Sequence, residues 1–272
     1  AAGKDIAPFW KMYPQHFNSD QPFNMLAPMK IGVLHEDDQR AEEAAAEVAD
    51  ETERDPFDLE PEGVLSPNLN YHGRRPYNAE SPSPLLSDYW ITPTNRWFVR
   101  NHHPMPLIDD NDYILTISGL GLPHGHVDRA VTFTLTDLQS KFNKTVVTSS
   151  IQCGGNGRDQ MNKVRKTFGS PWNVSAMSNA KFGGVLLSDL LRSVGVDINT
   201  ATAAGINHIQ FAGAEGMEAS IPVQKGLNPW GDVLIAYEMN DQPIPVQHGK
   251  PVRVIVPGHV GVRNVKWLTQ IK

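Results

Sequence analysis

Short runs of alternating apolar and polar residues fill most of the chain after residue 110. DYILTISGL (112–120), RAVTFTL (129–135) and KTVVTSSIQ (144–152) are rich in β-branched residues and read as strands. HIQFAG (208–213), VLIAYEMN (233–240) and PVRVIVPG (251–258) read the same way, and Asn240-Asp241 predicts a turn into QPIPV. One stretch changes period: LSDLLRSVGV (187–196) spaces its leucines as a helix does, with Ser188 as N-cap and Gly195 as stop. There is no internal repeat and no βαβ alternation. The pattern predicts a mixed, strand-rich α+β domain over residues 71–272.

Composition sets the scale. With 272 residues, 40% of them apolar, the chain holds enough material for one packed core. A single cysteine rules out a disulfide scaffold, and no apolar run approaches the roughly 20 residues of a membrane span. The opening AAGKDIAPFW carries no secretory signal pattern. The net charge of −6 averages two unlike regions. From Glu36 to Glu62, 13 acids face only Arg40 and Arg54. That stretch is too charged to bury and reads as a solvated linker over residues 36–70, helical at most around AEEAAAEVA. From Gly63 onward 19 Lys/Arg outnumber 15 Asp/Glu, with eight histidines among them. A mildly basic domain suits a small anion, whereas no basic stripe interleaved with aromatics points to nucleic acid.

The candidate chemistry concentrates in TSSIQCGGNGRDQMN (148–162). A strand delivers Cys153 to a loop of Gly154, Gly155, Asn156 and Gly157, followed by Arg158. Glycines let a ligand approach the backbone, where N–H groups meet an anion. Arg158, Lys163, Arg165 and Lys166 favour the thiolate form of the cysteine. Such a sulfur fits a nucleophile or a soft-metal ligand, and equally a small buried hydrophobe beside a tight turn. One cysteine without a partner spacing does not close a zinc site. RWFVRNHHPMP (96–106) adds Arg96, Arg100, His102 and His103, where Arg100 reads as a held oxyanion donor or as surface charge. HGKPVRVIVPGHVGVRNVKW (248–267) adds His248, Arg253, Arg263 and Lys266, a phosphate grip or ordinary strand-end charge. Together the clusters predict a basic, glycine-lined pocket around one thiolate.

PYNAESPSPLLSDYWITPTNRWFVRNHHPMP, SSIQCGGNGR and AYEMNDQPIPVQHGKPVRVIVPGHVGVRNVKWL resemble, in that order, the molybdopterin domain of the eukaryotic sulfite oxidase family. The resemblance covers residues 71–272 and implies that family's α+β fold and oxidoreductase chemistry. Molybdenum would be held by a pterin dithiolene and by Cys153. The resemblance places Arg100, Cys153, Arg158 and Trp172 in the catalytic pocket. It places Phe98, Val99, Arg100, Asn101, His102, Cys153, His248, Arg253, Asn264, Val265 and Lys266 on the pterin and its phosphate, with Glu215 where members often carry Asp. Sulfite is the implied substrate, with electrons leaving through haem to cytochrome c. Nitrate reductases share this domain but place their b5 module after it. A non-catalytic cofactor-binding fragment is a third reading.

PFWKMYPQHF and MKIGVL, within residues 1–35, resemble the C-terminal end of a cytochrome b5 domain. His16 would be the second ligand to haem iron, and haem b is expected only with the first half of that domain. Where the family reads CAGNRR this chain reads CGGNGR, so Gly154 and Gly157 predict a looser, less positive loop. Family members continue past WLTQIK into a β-sandwich, so a homodimer is expected only with that domain, which is absent here. The b5-containing relatives imply the mitochondrial intermembrane space.

Overall fold

The structure is a computed structural model that describes residues 21–30, 32, 35, 56–119 and 130–272. The readings that rest on His16, on the acidic run 36–55, on Leu120 and on Arg129 lie outside the described residues. Among the described residues three sheets carry the architecture. Strands β1 (Asn70–Arg74), β2 (Tyr77–Glu80) and β3 (Val99–Arg100) pair antiparallel in that order. Next along the chain come β4 (Ile114–Ile117), β5 (Val131–Thr134), β6 (Thr145–Gln152), β7 (Met177–Leu186), β8 (His208–Gly213) and β9 (Glu218–Pro222). They are followed by β10 (Leu234–Met239), β11 (Gln242–Pro243), β12 (Arg253–Ile255) and β13 (Leu268–Ile271). The second sheet runs β11–β10–β7–β6, with β12 also pairing β10; the third runs β5–β4–β13–β8–β9.

Residue type explains this sorting. In β8 the burial alternates, with Ile209 and Phe211 inside and Gln210 half-exposed, as a strand with one wet face requires. β12 and nearly all of β10 are buried on both faces, which matches the largely apolar sequences RVI and LIAYEM. Short helices punctuate the strands: α1 (Gln21–Leu26), α2 (Leu135–Ser140), α3 (Arg158–Val164), α4 (Leu187–Ser193), α5 (Ile198–Ala203) and α6 (Val223–Leu227). Thr134 and Asp137 form a capping box at α2, as Asp197 and Thr200 do at α5.

All six strand expectations are met, and Asn240 and Asp241 turn with φ of 53° and 62°. Two details differ. α4 begins after Leu186, one residue before the expected cap, and the Ser188 hydroxyl is buried inside the helix without a partner. Gly195, at φ +83°, does end the turn. The folded region also starts before residue 71: Phe57 is buried, Asp58 pairs with Arg75 at 2.8 Å, and Glu60 accepts the Met105 N–H at 2.9 Å. Among the described residues no helix is long and apolar enough to cross a membrane.

Three apolar clusters form the core. The largest contains Leu115, Phe211, Leu190, Ile235 and Val265, the second Trp97, Phe98, Ile151, Trp172 and Phe182, and the third Tyr77, Val99 and Trp267. One cavity is lined by members of all three, namely Val265, then Trp97, Phe98 and Ile151, then Trp267.

Candidate active site

That cavity, of about 280 Å³, gathers side chains from four separate parts of the chain. β3 and the residues flanking it supply Phe98, Arg100, Asn101 and His102; the loop after β6 and the first residue of α3 supply Cys153, Gly154, Gly155 and Arg158. Glu215 and Met217 come from the β8–β9 turn, and His248, Arg253, Asn264, Val265 and Lys266 from the stretch around β12. A larger cavity of about 480 Å³, between α4 and β8, is mostly apolar and contains none of the expected residues.

Two residues that the resemblance places in the pocket do not line it, and neither do Arg96, His103 and Arg263 of the basic clusters. Trp172 is fully buried behind it, edge-on to His72 with ring centres 4.9 Å apart and to Phe98 at 6.5 Å. The Val99 side chain points the other way, into the third cluster, because neighbouring residues on a strand face opposite sides. Of the four cations expected around the thiol, Arg158 alone lines the cavity. Lys163, Arg165 and Lys166 lie on the exposed surface of and after α3, Lys163 pairing with Asp159 at 3.4 Å. The sequence reading missed Trp97, Met217, Trp267 and the loop Val260 to Val262, whose apolar side chains carry no chemical signature.

Cys153 is half-buried and accepts a hydrogen bond from the Gly155 N–H to its sulfur at 3.4 Å. The loop expected to be loose is closely tied. Gly157 takes φ +80°, which favours glycine, and its N–H donates to Asn173 O at 2.5 Å. Gly155 and Gly169 leave room for the Arg158 guanidinium: a Cβ at Gly155 would stand 2.6 Å from its Nη1, and one at Gly169 2.9 Å. Arg158 Nη1 donates to Ser170 O at 2.8 Å. Across the cavity a Cβ at Gly261 would lie 3.1 Å from Gln152 O, so this loop closes directly on the cysteine's own segment.

The polar side chains of the remaining lining are closely bonded to one another and to the backbone. Arg253 donates to His248 O at 2.8 Å and to Asn264 O at 3.0 Å; Asn264 accepts the Val256 N–H at 2.7 Å and donates to Val260 O at 3.1 Å. Lys266 Nζ bonds Asn101 Oδ1, Arg100 O at 3.0 Å and Gln247 O at 3.0 Å, and Arg100 bonds Asn101 O and Asn78 Oδ1. Burial pushes Glu215 up to about 7 against the pull of Lys266 and Arg253, and lowers Arg253 to about 9. Burial, then the neighbouring arginines, hold Lys266 well below the usual lysine range.

His102 is pushed down to about 3 by burial, Arg100 and Lys266; His248 is pushed well below 6.5 by burial, Lys266 and Arg253. Both are neutral at pH 7. The unfolded chain binds these protons near pH 6.5 and the folded chain does not, so stability present above pH 6.5 is lost as pH falls below it. His102→Gln is expected to retain roughly 2 kcal/mol more of its stability than the parent between pH 6.5 and 5, at about 1.4 kcal/mol per pH unit. Urea midpoints at the two pH values measure it.

Four buried atoms on this wall have no hydrogen-bond partner: Asn101 Nδ2, Glu215 Oε2, His248 Nε2 and Arg253 Nε. An unpaired buried polar group costs about 1–3 kcal/mol, so such a concentration marks a surface built for a polar ligand. A molybdopterin group, with ring donors and acceptors and an anionic phosphate, fits this set, in which Asn101 and Arg253 donate and Glu215 accepts. Cys153 brings a sulfur, a donor suited to a metal, to the same cavity.

The comparisons agree with that geometry. Residues 102–272 match the oxidoreductase molybdopterin binding domain, and the chain belongs to that family. Within it, this is an oxidoreductase domain of sulfite oxidase type. It is 39% identical over 277 residues to mitochondrial sulfite oxidase of Rattus norvegicus and 41% identical over 279 to that of Drosophila melanogaster. Both alignments take in the whole chain but only 47% and 44% of the relatives, so the chain spans a little under half their length. The sulfane dehydrogenase SoxCD of Paracoccus pantotrophus is similar in structure, with a TM-score of 0.57 and 26% identity over 78% of this chain and 49% of that one.

Proposed function

We propose that this chain is the catalytic domain of an enzyme that oxidises sulfite to sulfate. The observation that carries the reading is the convergence of the sole thiol, Cys153, with Arg100 and Arg158 on one cavity whose deeper wall holds Arg253 and Lys266. When bound, the molybdenum centre supplies the two-electron redox change and the transferred oxygen atom. Cys153 would hold the metal, Asn101, His248, Arg253 and Lys266 the pterin and its phosphate, and Glu215 would accept from a ring donor. Arg100 and Arg158 collect and orient a compact anion, which planar guanidinium groups do in a partly dehydrated pocket better than a lysine. Neutral His102 and His248 add polarity without adding charge. The apolar wall of Trp97, Phe98 and Val265 excludes water and strengthens these contacts.

Electrons would leave singly, through a haem held in part by His16, to cytochrome c. The enzyme would act as a homodimer in the mitochondrial intermembrane space. This part of the proposal is supported by the b5-like pattern within residues 1–35 and by relatives named as mitochondrial. Haem content and cytochrome c reduction by the full-length protein test it.

Molybdenum analysis of the purified protein, with sulfite and nitrate turnover side by side, tests the core of the reading. Metal near one atom per chain with sulfite turnover is the expected result. Nitrate turnover without sulfite turnover, or metal with neither, would overturn it. Arg100→Gln is expected to raise the sulfite KM by about tenfold or more with a smaller change in kcat, because it removes a charged contact to the anion. An unchanged KM would exclude Arg100 from substrate binding.

A further inference from the structure

We propose that Glu80 is a positioning residue for the active-site loop, setting the Cys153 sulfur and the Arg158 guanidinium through a strap of backbone. The role it serves rests on the reading of Cys153 and Arg158 given above; the anchoring itself does not. Glu80 ends β2, is fully buried, and does not line the cavity. Its Oε1 accepts the Asn173 N–H at 2.8 Å and its Oε2 the Ser175 N–H at 2.9 Å. His72 Nε2 lies 2.6 Å from Oε1, and Ser175 Oγ is 3.1 Å from Ser83 Oγ. One carboxylate thus fixes two backbone donors a residue apart and so pins residues 172–176 to the first sheet.

That strap holds the loop by four hydrogen bonds. The Gly157 N–H donates to Asn173 O at 2.5 Å, the Asp159 N–H to Trp172 O at 3.0 Å, and the Cys153 N–H to Ala176 O at 2.9 Å. The Ala176 N–H donates back to Asn156 Oδ1 at 3.0 Å. The pinned residues therefore bracket Cys153 and Arg158 from both sides, and Ser170 O, just upstream, receives the Arg158 guanidinium. A carboxylate is the group for this work because both its oxygens accept. A glutamine in its place keeps one acceptor and turns an NH₂ against a backbone N–H. A buried carboxylate is tolerated because donors surround it, and an apolar residue would fill the same volume without fixing anything.

Amide hydrogen exchange on the purified protein tests this without recourse to turnover. Glu80→Gln is expected to speed exchange of the 153–159 segment about tenfold, as loss of one buried acceptor opens a local unit, while exchange in β8 and β9 stays unchanged. Leu138→Ala, a fully buried change in the largest cluster, controls for global destabilisation. Glu80→Asp keeps the charge with a shorter reach; it is expected to fall between the two and carries the test should the Gln variant not fold. In sulfite kinetics Glu80→Gln is expected to lose about 10²-fold in kcat/KM, as for a small misplacement of reacting groups, with Asp recovering part of it and Leu138→Ala neither loss. Unchanged exchange at 153–159, or an equal rise in Leu138→Ala, would overturn the proposal. A Glu80-dependent rise in a protein that never oxidises sulfite would leave the anchor standing and overturn the substrate assignment instead.

Discussion

Cys153→Ser is expected to lower sulfite turnover by more than about 10³-fold while the protein stays folded. Changes to groups that merely orient a metal's ligands already cost about 10–100-fold, and loss of the ligand itself costs more. A serine hydroxyl at neutral pH stays protonated and is far harder to ionise than a thiol, so it is a poor replacement for an anionic sulfur ligand. The swap is small in volume at a half-buried position, so stability is expected to change by no more than about 1 kcal/mol. Steady-state kinetics, metal content and a thermal melt on one preparation give all three numbers. A variant that kept most of its turnover would exclude the sulfur from the metal.

Gly184→Ala is expected to do the reverse and remove the fold before the chemistry. In the β7–β10 pair Gly184 faces Ala236, where the register shifts between Ala236 and Glu238. A methyl group there would stand 2.7 Å from the Ala236 Cα and closer still to the Ile235 carbonyl oxygen. Both obstacles are backbone of a strand buried on both faces, so neither yields as a flexible side chain does. A loss of about 3 kcal/mol or more is expected, equivalent to a fall of roughly 6–12 °C in Tm for a domain of this size. Gly157→Ala is the comparison: it has open space and only a positive φ to contend with, so its loss stays near 1 kcal/mol.

The contrast between these glycines shows what the sequence made legible. Strands with β-branched runs, such as Thr145–Gln152 and Arg253–Ile255, announce themselves. β7 does not: MSNAKFGGVL mixes Ser, Asn, Lys and two glycines, residues poor in strand propensity. It is a strand because β6 and β10 flank it on both sides, so tertiary pairing, not local preference, decides. The site divides in the same way. Cys153, Arg100, Arg158, Glu215, His248, Arg253, Asn264 and Lys266 are visible because charged, thiol and amide groups suggest chemistry, and the fold does bring them together. Trp172 and Val99 lie off the cavity lining because a motif says which segment approaches a site, not which side of the backbone faces it. Glu80 is not legible in the sequence, since it bonds backbone N–H groups that no side-chain pattern encodes.

The position of β13 bears on how the molecule is made. Leu268–Ile271 inserts between β4, which it meets in parallel, and β8, which it meets antiparallel. During synthesis β4–β5 and β8–β9 therefore leave the ribosome as two separate hairpins with bare edges, open to mispairing with other chains. They join only through residues 268–271, and the neighbouring Lys266 and Trp267 line the cavity. Nascent chains halted before that point would be aggregation-prone clients for chaperones, so closing the sheet and completing the cavity wall depend on the same short stretch.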